Sequence, residues 1–299
     1  MDDAIRVEGL TKQFGSFTAV DDVSFHVKSG EIFGILGPNG AGKTTTLEII
    51  EGLQKASSGY ISVLGLDVDQ NPKTYKGRIG VQLQSSAYYD YLNLEEILDL
   101  LGSCYPNKLP ATELLKQVGL SEQSHNKVKQ LSGGQQQRVG IARSLAVDPE
   151  VCFLDEPFSA LDPLIRREMQ NEFLRIQDLL HKTIVFITHD FDEAIKLADR
   201  IAIMKDGLII QIGTPEELVI NPATDYVKEF TKDIPRAKVL TASSIMDGIQ
   251  DETKTLITVK EKDIVDKFAA KLVDSNTNAI VINDKNQPVG IIRKEKILD

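Results

Sequence analysis

Residues 32–53 read Ile32-Phe33-Gly34-Ile35-Leu36-Gly37-Pro38-Asn39-Gly40-Ala41-Gly42-Lys43-Thr44-Thr45-Thr46-Leu47-Glu48-Ile49-Ile50-Glu51-Gly52-Leu53. An apolar run, Ile32 to Leu36, enters a glycine-rich loop, and helix-forming composition from Lys43 to Leu53 then reaches a stop at about Gly52. The prediction is strand, loop, helix. The loop has the spacing GxxxxGK[ST] in the context that pattern requires. Its glycines let successive N–H groups turn inward, and the helix N-terminus adds partial positive charge. Gly37, Pro38, Asn39, Gly40, Ala41 and Gly42 therefore form a triphosphate cradle. Lys43 reaches the outer phosphates, Thr44 offers a hydroxyl to Mg²⁺, and Thr45 completes the set. Such a pattern arises by chance in roughly one chain in a hundred of this length.

Short β-branched runs at about 78–83, 151–154, 184–188 and 201–204 alternate with helical patterns, which implies a parallel α/β sheet. Residues 5–33 read instead as short antiparallel strands broken at Phe14-Gly15-Ser16 and Lys28-Ser29-Gly30. Strand signals vanish between about 92 and 147, where Leu94, Ile97, Leu98 and Leu101 repeat at helical spacing. Asp162-Pro163 opens a further helix with a buried stripe of Ile165, Met169, Phe173, Ile176 and Leu180. A Pro- and Lys-containing connector at 231–241 precedes a new β-α-β-β pattern, so a domain boundary is expected near 238.

Two further stretches carry chemistry. Val151-Cys152-Phe153-Leu154 ends in Asp155-Glu156, which puts two carboxylates at the carboxyl end of a strand, where open α/β sheets bind ligands. Asp155 would hold the metal and Glu156 would polarise an attacking water. Leu131-Ser132-Gly133-Gly134-Gln135 reads as an S-x-x-Q capping box, but capping does not call for two glycines. Their missing side chains expose a second helix N-terminus, hence a second anion site, in a chain with a single GxxxxGK loop. A partner's nucleotide would resolve the mismatch.

The 299 residues suggest about two domains. With 34 basic and 44 acidic residues, a net charge of −10 and no Lys/Arg run, no nucleic acid partner is expected. No apolar run approaches the roughly 18 residues of a membrane span, and the N-terminus lacks a leader pattern. Cys104 and Cys152, without CxxC spacing, are expected to be buried thiols in a reducing compartment.

These motifs, with Ser159-Ala160-Leu161-Asp162 and Thr188-His189-Asp190, occur in the order of an ATP-binding cassette ATPase, and the resemblance covers about residues 1–230. It implies a P-loop NTPase fold: a RecA-like parallel sheet core with an antiparallel β subdomain and a helical subdomain at about 86–147, within a domain spanning 1–238. By the same resemblance Phe14 stacks on adenine, Gln84 senses Mg²⁺ and the γ-phosphate as a catalytic and metal-site residue, and His189 is the switch histidine. Gln82 is the rival to Gln84. Ser132, Gly133, Gly134, Gln135 and Asp162 would meet nucleotide across a homodimer that sandwiches two ATP molecules. Tyr88, Tyr89 and Tyr91 lie where the family docks a membrane permease, which would hold the chain at the cytoplasmic face of the membrane.

The stretch Phe153 to Leu240 is similar to ATPases of glycine betaine/proline (quaternary amine) importers, which implies an extracytoplasmic substrate-binding protein as well. Residues 239–299 resemble one cystathionine-β-synthase (CBS) repeat, a small α+β appendage, with Ala279 to Asp284 and Val289 to Ile292 as its strand pair. Arg293 and Lys296 stand where that repeat's Thr/Ser and Asp contact ribose, so no adenylate is expected in a monomeric tail. The N-terminal half, with Ile49-Ile50-Glu51-Gly52-Leu53, also resembles drug- and polysaccharide-export ATPases, so efflux is the alternative to uptake. A soluble ABC ATPase outside transport is a more distant one.

Overall fold

The computed structural model describes residues 3–82, 89–105, 108–159, 161–248, 257–275, 277–293 and 295–298. They fall into two units, 1–214 and 215–299.

The larger unit begins with β1 (Asp3–Phe14) and β2 (Phe17–Lys28), each of 12 residues. Short broken strands were the expectation. The chain instead passes its irregular positions through shifts of register, one of them next to Gly9 at φ +58°, and turns only at Gly15-Ser16, where Phe14 pairs with Phe17. With β4 (Ser58–Val63) and β5 (Leu66–Asp67) these strands form an antiparallel sheet of order β2-β1-β4-β5.

The central sheet holds β3 (Ile32–Leu36), β6 (Ile79–Gln82), β7 (Val151–Asp155), β8 (Thr183–Thr188), β9 (Arg200–Lys205) and β10 (Leu208–Gly213), in the order β10-β9-β3-β8-β7-β6. All neighbours pair in parallel except β9 and β10. Every residue of β3, β7 and β8 is buried, which is why these strands read as unbroken apolar runs. Because β8 lies between β3 and β7, the carboxyl ends Leu36, Thr188 and Asp155 come side by side.

Helix α1 (Lys43–Ile50) follows the glycine loop and stops two residues before Gly52, which takes φ +70°. After α2 (Pro72–Lys76) and β6 come α3 (Leu94–Ser103), α4 (Ala111–Gln117) and α5 (Gly133–Leu145), the helical stretch read between 92 and 147. Asn93 and Glu96 cap α3 reciprocally, and Leu94, Ile97 and Leu98 are buried while Leu101 is half-buried. Cys104, at the end of α3, is exposed, contrary to the expectation of two buried thiols: the helix ends there and turns it outward. Cys152 is buried, and desolvation pushes its thiol up to about 12. Helix α6 (Pro163–Leu180) buries Met169, Phe173 and Ile176, with Ile165 and Leu180 half-buried. Helix α7 (Phe191–Leu197) then leads to β9.

The smaller unit contains α8 (Pro215–Ile220), α9 (Asp225–Thr231), α10 (Ala242–Ile245), β11 (Ile257–Lys260), α11 (Val265–Ser275), β12 (Ala279–Ile282), β13 (Pro288–Ile292) and α12 (Glu295–Leu298). Its sheet has the order β11-β12-β13, with β12 parallel to β11 and antiparallel to β13, over a core that includes Val259, Phe268, Leu272 and Val281. The unit begins at Pro215, earlier than the boundary near 238. The connector is no free linker: Ala237 and Leu240 pack on the tail's core, and the Thr241 hydroxyl donates to Glu216 Oε2 at 3.0 Å.

Candidate functional site

The glycine loop is bent by backbone that few residues other than glycine adopt. Gly40 has φ +81° and Gly42, the N-cap of α1, has φ +96°. A Cβ at Gly42 would lie 2.5 Å from the Ala19 carbonyl, and one at Gly37 would run into the Met204 carbonyl. Ala41 is buried and Pro38, Asn39 and Gly40 are exposed, so the turn is anchored at one end and open at the other. Lys43 is buried and donates from Nζ to the carbonyls of Gly37 and Pro38, at 2.9 and 3.0 Å. Burial holds its pKa below the usual lysine range, against the opposing pull of Glu156 and Asp155. Thr45 is half-buried in the first turn of α1.

From β7 the chain delivers Asp155, buried, to the same place. Its Oδ2 accepts from the Thr44 hydroxyl at 3.3 Å, while its Oδ1 has no hydrogen-bond partner among the described residues. Burial, then Glu156, hold this carboxyl above the usual aspartate range, although Thr44 and Lys43 pull it down. A buried carboxylate oxygen without a donor, beside a threonine hydroxyl, is the hard oxygen set that suits a small divalent cation.

Glu156 sits at φ +46°, a left-handed conformation uncommon for a glutamate. Its N–H donates to the Ile187 carbonyl at 3.1 Å, which fixes the loop against β8. Its Oε1 lies 3.1 Å from His189 Nδ1, and His189 leaves β8 with its side chain 55% exposed. The ends of β3, β7 and β8 thus bring Lys43, Thr44, Asp155, Glu156 and His189 to one sheet edge.

Ser132 and Gln135 form the capping box at the start of α5: Ser132 Oγ accepts from the Gln135 N–H at 3.3 Å and Gln135 Oε1 from the Ser132 N–H at 2.9 Å. The two glycines differ. Gly133 is exposed, but Gly134 is buried, where a Cβ would come within 2.7 Å of Ile165 Cγ2, so close packing of α5 on α6 already demands it. Asp162 caps α6, its Oδ1 accepting from the N–H groups of Leu164 and Ile165 at 3.1 Å each.

Phe14 is 49% exposed and not part of the core; Lys12 Nζ lies 4.8 Å from its ring centroid. Tyr89 and Tyr91 are exposed as well, at 63% and 88%. Gln82 is buried against Gly140 of α5. Gln84 and Tyr88 lie outside the described residues.

Sequence reasoning quoted Thr188 and Asp190 only as neighbours of His189 and gave no role to Glu193 or Arg166. Thr188 Oγ1 donates to Glu193 Oε2 at 2.7 Å and accepts from the Asp190 N–H at 3.0 Å, and Arg166 Nη1 lies 3.4 Å from Asp190 Oδ2. Burial above all pushes the Glu193 carboxyl up to about 7. The one signal available was position: a polar residue one turn into α6 and another one turn into α7.

Comparison with known proteins agrees with this geometry. The family profile described as ABC transporter matches residues 20–159. A trimethylamine N-oxide transport system ATP-binding protein of Pelagibacter ubique is 44% identical over 294 residues, 95% of this chain and 86% of its own length. The chain belongs to the ATP-binding cassette (ABC) transporter ATPases. Another ABC relative, an osmoprotectant import ATP-binding protein of Salmonella typhimurium, is 36% identical over 98% of this chain and 80% of its own. Among solved structures, a dimeric ATP-binding cassette in a post-hydrolysis state bound to ADP and Pi superposes with a TM-score of 0.62 at 30% identity, covering 71% of this chain and 98% of that one. Among the described residues no helix is long and apolar enough to cross a membrane. The family profile ends before Asp162 and His189; the strand order puts His189 just past the end of β8, next to β3, while Asp162 stands at the cap of α6.

Proposed function

We propose that this ABC ATPase binds and hydrolyses ATP as a homodimer and drives uptake of quaternary amine osmoprotectants of the glycine betaine type through a separate membrane permease. The observation that carries the catalytic part is the meeting of a phosphate loop, two carboxylates and a histidine at the ends of three adjacent strands. The cargo class is supported by relatives named for trimethylamine N-oxide, choline, glycine betaine and osmoprotectant transport, and the last, named for import, favours uptake over efflux.

Lys43 exchanges its two carbonyl acceptors for phosphate oxygens, a stronger charge-assisted pairing. Thr44 and Asp155 would hold Mg²⁺, joined by Gln84 by family resemblance, and the ion would supply positive charge against the phosphates. Glu156 accepts the proton of the attacking water, and His189, within reach of Glu156 Oε1, fixes that carboxylate and the γ-phosphate. Phe14 presents a ring face to adenine. The α5 N-terminus of a second copy, Ser132 to Gln135, closes over the γ-phosphate with Asp162, so that ATP bridges the two subunits and its hydrolysis releases them.

Tyr88, Tyr89 and Tyr91 form the permease-docking surface, which brings the chain to the cytoplasmic face of the membrane; the exposure of Tyr89 and Tyr91 supports this over a packing role. An extracytoplasmic binding protein delivers the solute. Residues 239–299 act as one CBS-like repeat, a dimerisation or regulatory appendage without adenylate. Lys296 Nζ, bonded to Asp247 at 2.6 Å, supports a structural role at that position.

Glu156→Gln tests the catalytic reading. Turnover is expected to fall by more than about a hundredfold while ATP binding persists and an ATP-dependent dimer accumulates on gel filtration. Wild-type turnover in that variant removes Glu156 from the base role, and full activity from a strictly monomeric chain removes the sandwich.

A further inference from the structure

We propose that Arg166 is a positioning residue that ties the segment leading to Asp162 to the segment carrying His189, so that closure at one is felt at the other. This rests on the catalytic reading above. A single guanidinium reaches three acceptors on two loops: Nε to the Phe158 carbonyl at 3.3 Å, Nη2 to the Leu161 carbonyl at 3.2 Å, and Nη1 to Asp190 Oδ2 at 3.4 Å. The carbonyls belong to the stretch between Glu156 and the α6 cap; the carboxylate caps α7 directly after His189.

Asp190 is held from its other side as well. Its Oδ1 accepts from the Glu193 N–H at 3.1 Å, and its own N–H donates to Thr188 Oγ1, which donates in turn to the buried Glu193. The residues on both sides of His189 are therefore fixed to one network whose only charged link to the 158–161 stretch, among the described residues, is Arg166. Both partners are about a third exposed, too wet for the pair to add much to folding. The geometry suits a planar fork and not a point charge: a lysine ammonium at the end of a flexible stem cannot serve three acceptors fixed on two loops.

Among the described residues Arg166 donates to Phe158, Leu161 and Asp190 and to neither the phosphate loop nor Glu156, so its loss should lower the rate of hydrolysis and spare ATP affinity. The test uses the full-length chain in steady-state ATPase assays. Arg166→Ala, and Asp190→Asn, which keeps an N-cap acceptor while removing the charge, should each lower kcat about tenfold. KM should stay within about twofold, since ground-state binding is untouched. The double variant should be no slower than either single, the non-additivity of two groups acting as one unit, and Arg166→Lys should fail to restore the rate. Wild-type kcat in both single variants, additive losses in the double, or a rescue by lysine would each overturn the proposal. Should Arg166→Ala not fold, Asp190→Asn combined with Arg166→Lys decides the same question. Glu156→Gln assayed alongside separates the two claims. If it turns over normally the catalytic reading fails. If it is dead while the Arg166 and Asp190 variants are fully active, only the coupling fails.

Discussion

Glu51, at the C-cap of α1, is 3% exposed, and neither of its carboxylate oxygens has a hydrogen-bond partner among the described residues. Burial, then the charges of Asp155 and Glu48, push its carboxyl up from 4.5 to about 8. The folded chain therefore keeps a proton that the unfolded chain releases, and between those two pH values stability must fall as pH rises, levelling off above about 8. At about 1.36 kcal/mol per pH unit the full interval, 8 less 4.5, sets a ceiling near 5 kcal/mol. Relaxation and water penetration reduce this to an expected ~2–3 kcal/mol. Glu51→Gln keeps the shape and abolishes the titration. Urea unfolding of wild type and variant at pH values from about 5 to about 8 should show the variant gaining those ~2–3 kcal/mol relative to wild type as pH rises. Taking the difference cancels the raised carboxyl of Glu193, common to both chains, while the coupling of Glu51 to Asp155 is part of what the difference measures. A difference that stays flat within about 0.5 kcal/mol would mean that Glu51 is hydrated or paired in solution, and the reasoning fails.

Gly42→Ala places a Cβ against the Ala19 carbonyl at a left-handed φ, so ATP affinity should drop at least tenfold, roughly 1.4 kcal/mol, in a fluorescent-nucleotide titration. Phe14→Ala removes an exposed ring; ATP binding should weaken by about 1–3 kcal/mol with kcat at saturation retained, and thermal unfolding should be nearly unchanged because the ring is outside the core.

The fold was legible where burial is uniform. Strands β3, β7 and β8 are buried on both faces, and total burial leaves an apolar run that no surface pattern blurs. It was less legible in β1 and β2, because a strand that absorbs register shifts carries the same turn-forming residues as a chain that truly turns. Local chemistry revealed the phosphate loop, the α5 capping box and the Asp162 cap, since each is written within a few residues. Arg166 acquires meaning only when the fold brings α6 beside α7, a fact of topology that no short window of sequence contains, whereas Thr188 and Glu193 meet within six residues and were legible in principle. Cys104 shows the converse: an apolar helical context does not reveal on which side the helix ends.

Electrostatics then ties the fold to its ligand. Burial works in opposite senses on the two ions at the strand ends, holding Lys43 below and Asp155 above their usual ranges. Among the described residues neither is fully compensated: Lys43 rests on two neutral carbonyls, and one oxygen of Asp155 has no donor. A phosphate is a better partner for Lys43 than a carbonyl, so binding an anion relieves one half of this imbalance. The same anion would be repelled by Asp155 and Glu156 unless positive charge lay between them. The described residues therefore satisfy neither ion, and the triphosphate with a divalent cation proposed above would satisfy both, where either component alone would leave one of them unmatched.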